Sequence, residues 1–280
     1  MIRIELAKQA RRPRTLLTLG ALAAFSLALT IALAASDAGR LERVGDVPLL
    51  IAPNHSGFSI PVIALSSTMK FFLPLAVAIF AGESVAGEAG WGSLRYALTR
   101  PVSRGRYLFS KLIVALLFSL VAVVLVPLSA LVVGTIAFGW HPFTAIDGSA
   151  STALHTSVIT FSSGLALGRL AISTAYVAAG MTSIFAFAFL LSTLTSHPFA
   201  AVAGGVALTL VSRVLNADYL PGVSALASYM PNNDVDLWQH LFQRPAQTSG
   251  MGHFLLLQLA YVAVSLSLAW WWFSRKDILT

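Results

Sequence analysis

"GESVAGEAGWGSLRYALTRPVSRGRYLFSK", residues 82–111, separates two long apolar runs in a chain of 280 residues that is 57% hydrophobic and only 10% charged. It carries Glu83, Glu88, Arg95, Arg100, Arg104, Arg106 and Lys111. Charges gathered so densely in so apolar a chain mark a connection lying outside a hydrocarbon phase. A soluble domain carries about a quarter charged residues. With a mean hydropathy of +0.79, this composition reads as an all-α polytopic membrane protein.

Working outward, six segments reach the roughly 20 apolar residues that a spanning helix needs: about 16–35, 60–81, 112–139, 169–194, 199–216 and 253–273. Pro127 should kink the third, because it removes a backbone donor inside the helix. "TSHP", residues 195–198, is a tight turn between the fourth and fifth. The opening "MIRIELAKQARRPR" with "ALAA" at 32–35 imitates a secretory signal. The apolar run is too long for one and five further spans follow, so the reading is an uncleaved first span.

Basic residues set the orientation. With the N-terminus inside, Arg3, Lys8, Arg11, Arg12, Arg14, Arg95, Arg100, Arg104, Arg106, Lys111, Arg275 and Lys276 are cytoplasmic. Arg40, Arg43, Arg169, Arg213 and Arg244 fall outside, with Asp37, Glu42, Asp46, Asp147, Asp218, Asp234 and Asp236. That asymmetry follows the positive-inside rule and puts both termini in the cytoplasm, in a multi-pass inner-membrane protein. The net charge of +7 is thereby explained without nucleic acid, for which no recognition motif appears. The absence of cysteine excludes disulfides and thiolate metal sites.

Within residues 82–111, "GEAGWGSLRYALTR" is expected to form a short amphipathic helix. Trp91, Leu94 and Leu98 share one face, Arg95 and Thr99 lie elsewhere, and Pro101 ends it. Here the chain resembles the type-two ABC transporter permeases. Between their second and third helices, an acidic residue precedes a Gly-[ST]-Leu stretch, a Pro-[VIL]-Ser-Arg turn and a Lys opening the next helix. Glu88, Gly92, Ser93, Leu94, Pro101, Val102, Ser103, Arg104 and Lys111 stand at those places. "IELAKQARRPRTLL", "LLSTLTSHPFAAVAGG" and "FSRKDIL" are similar to the family's N-terminal amphipathic helix (residues 1–15), its inner turn and its basic ending.

The resemblance implies that residues 82–111 hold a coupling helix resting on a separate ATPase. Trp91, Leu94 and Leu98 would dock, Glu88 and Arg95 would make polar contacts at the rim, and Pro101 and Arg104 would belong to the turn of the same coupling segment. It further implies two permeases with two ATPase subunits, as a homodimer or a related pair, exporting a hydrophobic or amphipathic compound such as a drug, antibiotic or lipid. No G-x-x-x-x-G-K-[ST] phosphate loop occurs, so ATP and Mg belong to the partner and this chain carries no cofactor. No catalytic motif appears either, so the chain reads as a transport subunit rather than an enzyme. The alternatives are a permease feeding metal or sulfur to a periplasmic maturation partner, or a non-transporting scaffold. A secondary transporter would need acids within the spans, and none is mid-span.

Lys70 falls inside the second apolar run, where an ammonium costs about 2.5–3.5 kcal/mol on insertion scales. With Ser66 and Ser67 it is a candidate for the substrate path. Arg169 and Arg213 read as headgroup anchors at the outer ends of their spans. The six histidines (55, 141, 155, 197, 240 and 253) show no zinc-site spacing, so no metal ligand is assigned. The outer segment 217–252 contains "NNDVDLWQHLF", with Asn233 or Asp234 as N-cap and Leu237, Trp238, Leu241 and Phe242 on one face. It is expected to be interfacial or re-entrant. With no internal repeat and no linker, residues 1–280 form one transmembrane domain.

Overall fold

The computed structural model describes residues 2–35, 42–43, 49–51, 56–90, 92, 103–147, 158–215, 229–243 and 245–275. Its helices are α1 (Ile2–Ala10), α2 (Pro13–Ala34), α3 (Ser59–Thr68), α4 (Phe72–Gly90), α5 (Arg104–Phe138), α6 (Ser163–Leu194), α7 (Pro198–Leu215) and α8 (Met251–Arg275). Six of them, α2 and α4–α8, are long and apolar enough to cross a membrane. The chain is therefore a predominantly helical, multi-pass membrane protein.

At the centre α4 and α6 pack along each other, with α5, α7 and α8 around them and α2 against α5. Glycine permits the closest approaches. A Cβ on Gly205 would lie 2.9 Å from Ala188 Cβ and 3.0 Å from Ala78 Cβ, so α7 seats on α4 and α6 only because none is there. This is the small-residue packing that membrane helices use when no hydrophobic force drives them together. Exposed Leu17, Ile136, Phe199 and Leu256 belong to an outer surface that meets lipid chains rather than water.

Three boundaries differ from the sequence reading. First, the second apolar run is not one helix, because α3 and α4 are parted at Met69–Phe71. Pro74 accounts for this: its ring would collide with the carbonyl of Lys70, so a helix cannot pass straight through. Second, α4 continues to Gly90, through residues assigned to a loop. Gly82, Val85 and Ala86 are buried there, and the Ser192 hydroxyl accepts from the amides of Val85 (3.0 Å) and Ala86 (2.9 Å). Gly92, at φ +67, bonds back to the Ala89 carbonyl beyond the helix end. Third, α5 begins at Arg104, where the Ser103 hydroxyl accepts from the Arg106 amide. Its 35 residues extend about 52 Å, well beyond a hydrocarbon core of about 30 Å. Pro127 lies inside it. Beside Pro127, the Ser26 and Ser129 hydroxyls sit 3.0 Å apart, next to the Val126 carbonyl.

The helical class gains a small antiparallel sheet that the sequence reading did not contain. Its strands are β1 (Glu42–Arg43), β2 (Leu49–Ile51), β3 (Phe143–Asp147) and β4 (Val158–Phe161), in the order β1-β2-β3-β4. Leu50 pairs with Ile146, and Thr144 with Thr160.

Candidate functional site

At the end of the bundle where α1 lies, four segments meet around one carboxylate. Glu88 stands in the last turn of α4 and is buried. Its Oε1 accepts from Lys111 Nζ at 2.6 Å and Lys8 Nζ at 2.5 Å, and its Oε2 accepts from the Tyr107 hydroxyl at 2.5 Å. Arg12 Nη2 lies 3.9 Å away, an ion pair without a hydrogen bond. Lys111, with a side chain only 4% exposed, also donates to Glu5 at 2.7 Å.

Helical periodicity places each partner. Tyr107 and Lys111 are four apart on α5, and Glu5 and Lys8 are three apart on α1, so each pair shares a face. A charge so buried is tolerable only when paired and hydrogen-bonded. The cluster therefore clamps α1, the start of α2, the end of α4 and the start of α5 into one unit. Beside it, Arg14 donates to Glu83 at 2.9 Å.

The motif residues Glu88 and Lys111 are thus brought together, and both are buried. Arg104 stays on the exposed first turn of α5, where its guanidinium donates to the Ser274 carbonyl of α8 at 3.2 Å. Trp91, Leu94, Arg95, Leu98 and Pro101 lie outside the described residues. Sequence reading missed the roles of Glu5, Lys8, Arg12 and Tyr107. The i, i+4 spacing of Tyr107 and Lys111 was the available signal.

At the opposite end the substrate-path candidates do not form one patch. Lys70 is exposed in the turn between α3 and α4, not buried in a helix. Ser66 is buried, and both it and Ser67 donate to the Ile63 carbonyl of their own helix, at 2.9 and 2.8 Å. Among the described residues, neither hydroxyl accepts a hydrogen bond from Lys70.

Nearby, residues Asn233–Phe242 form a 3₁₀ helix against α6 and α8. Five of its ten residues, Val235, Trp238, Gln239, Leu241 and Phe242, are buried. Trp238 is fully enclosed and donates from Nε1 to Met69 Sδ at 3.0 Å, directly at the break before α4. Asn232 stands at its N-cap position with no side-chain capping bond, in place of the expected Asn233 or Asp234. Phe242 meets Phe143 and Phe161 of the sheet edge-on, at 5.5 and 6.5 Å between ring centroids.

Arg169 is part of this assembly, which corrects its reading as a headgroup anchor. It donates to the Leu241 and Gln243 carbonyls and stacks 4.4 Å over Phe161. Arg213 lies in the last turn of α7, its Nε buried and, among the described residues, without a hydrogen-bond partner. Asp234, in the 3₁₀ helix, has its carboxyl pushed above the usual range by burial, with His253 pulling in the opposite direction.

The fold is that of a multi-pass membrane protein with six candidate spans among the described residues and an ion-clamped end. The chain matches the family described as "Protein of unknown function (DUF2705)" over residues 46–279, and it belongs to that family. It is also 26% identical over 235 residues to "Uncharacterized protein YhcI" of Bacillus subtilis (strain 168), covering 81% of this chain and 71% of the relative.

Proposed function

We propose that this chain is the membrane-spanning permease of an ATP-driven exporter, working as a pair of permeases with two soluble ATPase subunits. The reading places the ion-clamped end in the cytoplasm, on the side favoured by the basic residues. The observation that carries it is the 2.6 Å contact between Glu88 and Lys111. These are the two ends of the segment that resembles a coupling helix. With Glu88 and Lys111 joined, a push on the residues between them would move α4 and α5 together and drag α1 with them.

An open apolar cleft of about 690 Å³ between α5 and α6, lined by Leu128, Leu131, Leu170 and Ala175 among others, supports a hydrophobic or amphipathic cargo. In this reading the chain does no chemistry. ATP and Mg are bound by the partner.

The test is assembly. Co-expressed with a soluble ABC-type ATPase partner, the chain should purify as a complex with two copies of each subunit, and alone it should hydrolyse no ATP. Trp91→Ala should weaken the complex about thirtyfold, the effect of losing roughly 2 kcal/mol from an aromatic anchor. ATP turnover by the isolated chain would end the proposal. So would a Trp91→Ala, Leu94→Ala double variant that assembled and transported normally.

A further inference from the structure

Beside the ion cluster, a cavity of about 430 Å³ opens between the start of α2 and the end of α4. Its lining includes Lys8, Arg12, Arg14, Glu83 and Gly87. The two acids bordering it are already engaged. Glu88 receives Lys8, Lys111 and Tyr107, and Glu83 receives Arg14. Arg12 is not matched in this way: Nη1 donates to the neutral Gln9 side chain at 3.0 Å, and Nη2 reaches only 3.9 Å from Glu88. Counting Lys8, Arg12, Arg14 and Lys111 against Glu5, Glu83 and Glu88 leaves one positive charge.

The helices beside the cavity also carry exposed apolar side chains. Ile4 on α1 is 73% exposed and Leu17 on α2 is 71% exposed, which fits side chains that meet acyl tails. A partly matched guanidinium suits a phosphate, which accepts its planar fork of donors. From these features we infer that the cavity is a binding site for the phosphate of an anionic phospholipid, with Arg12 as its main contact and Lys8 and Arg14 at its flanks. The acyl chains lie along the exposed apolar residues of α1 and α2. A lipid seated there would brace α1 against the end of α4, and the site stands whether or not the chain moves a compound.

Gly87 supplies a clean test. A Cβ built there meets nothing within 4 Å, so Gly87→Leu fills the cavity without straining the helix. Native mass spectrometry of the full chain in neutral detergent, titrated with phosphatidylglycerol or phosphatidylcholine, reads the first bound lipid. Wild type should favour phosphatidylglycerol at least about fivefold, the effect of one juxtamembrane cation. Arg12→Gln should remove that preference, and Gly87→Leu should abolish first-site binding while heat stability is kept. Equal binding of both lipids by wild type, or unchanged phosphatidylglycerol binding by Gly87→Leu, overturns the inference. Heat protection by inorganic phosphate equal to that by phosphatidylglycerol would assign the cavity to a soluble anion and overturn the lipid as occupant.

Discussion

Lys111 and Glu88 are 23 residues apart in sequence and 2.6 Å apart in space, and their side chains are 4% and 7% exposed. Taking both ions out of water costs several kcal/mol each, so each depends on the other and on the partners around them. Glu88→Gln should therefore leave Lys111 with the partly exposed Glu5 as its remaining counter-ion and destabilise the chain, by less than the about 3–5 kcal/mol of a wholly unpaired buried ion, with α1 becoming sensitive to protease. Adding Lys111→Met should restore most of the loss. Denaturant unfolding in detergent measures both, and a non-additive cycle is the expected signature. A Glu88→Gln variant as stable as wild type would show that the clamp does not hold the end of the bundle.

The 3₁₀ helix at the opposite end should behave as a separately removable part. Trp238 fills its own enclosure, and deleting a buried aromatic typically costs about 3–5 kcal/mol. Trp238→Ala should expose amides of residues 233–242 to hydrogen exchange while α4 and α6 stay protected. Arg169→Gln, which frees the Leu241 and Gln243 carbonyls, should produce a smaller change confined to the C-terminal end of that helix. Loss of protection across all helices in either variant would mean that the segment is inseparable from the bundle.

Asp234 gives that segment a pH dependence. Burial raises its folded-state pKa, so the folded chain holds the proton more firmly than the unfolded chain does. Its contribution favours the docked helix below the unfolded value and is lost as pH rises through the folded value. Exchange protection of residues 233–242 should thus fall on going from acid towards neutral pH, and Asp234→Asn should flatten that change. A wild-type segment that became better protected as pH rose would contradict the sign.

Six apolar runs identified the spans because a bilayer selects length and hydropathy, which are local properties. The errors arose where the deciding partner was remote. Residues 82–90 carry two glutamates and three glycines and read as loop, yet Ser192 and the lysines of α1 and α5 hold them as helix. The sheet joins Leu50 to Ile146 across a gap in sequence that no local pattern reports. Arg169 looked like a headgroup anchor because its carbonyl acceptors lie more than 70 residues further on. The break at Lys70 was legible in principle, since Pro74 stands four residues after it and signals a disrupted helix.

That break alters what Lys70 can do. Within a continuous helix its ammonium would have needed a buried partner, but it follows directly on the C-terminus of α3, where the helix dipole favours a cation by about 0.3–1 kcal/mol. Among the described residues it has no ion-pair partner. Its neighbours Phe71 and Phe72 are themselves well exposed. Lys70→Met should accordingly lower stability by no more than about 1 kcal/mol. If the exposed turn faces the path of an exporter, the same variant should change which amphipathic compounds are moved, weakening export of anions most. A cysteine at position 70 should then react with a water-soluble maleimide in the assembled complex. A cysteine that reacts only with membrane-permeant reagents, together with unchanged transport by Lys70→Met, would place this turn against lipid and reduce the lysine to a cap on α3.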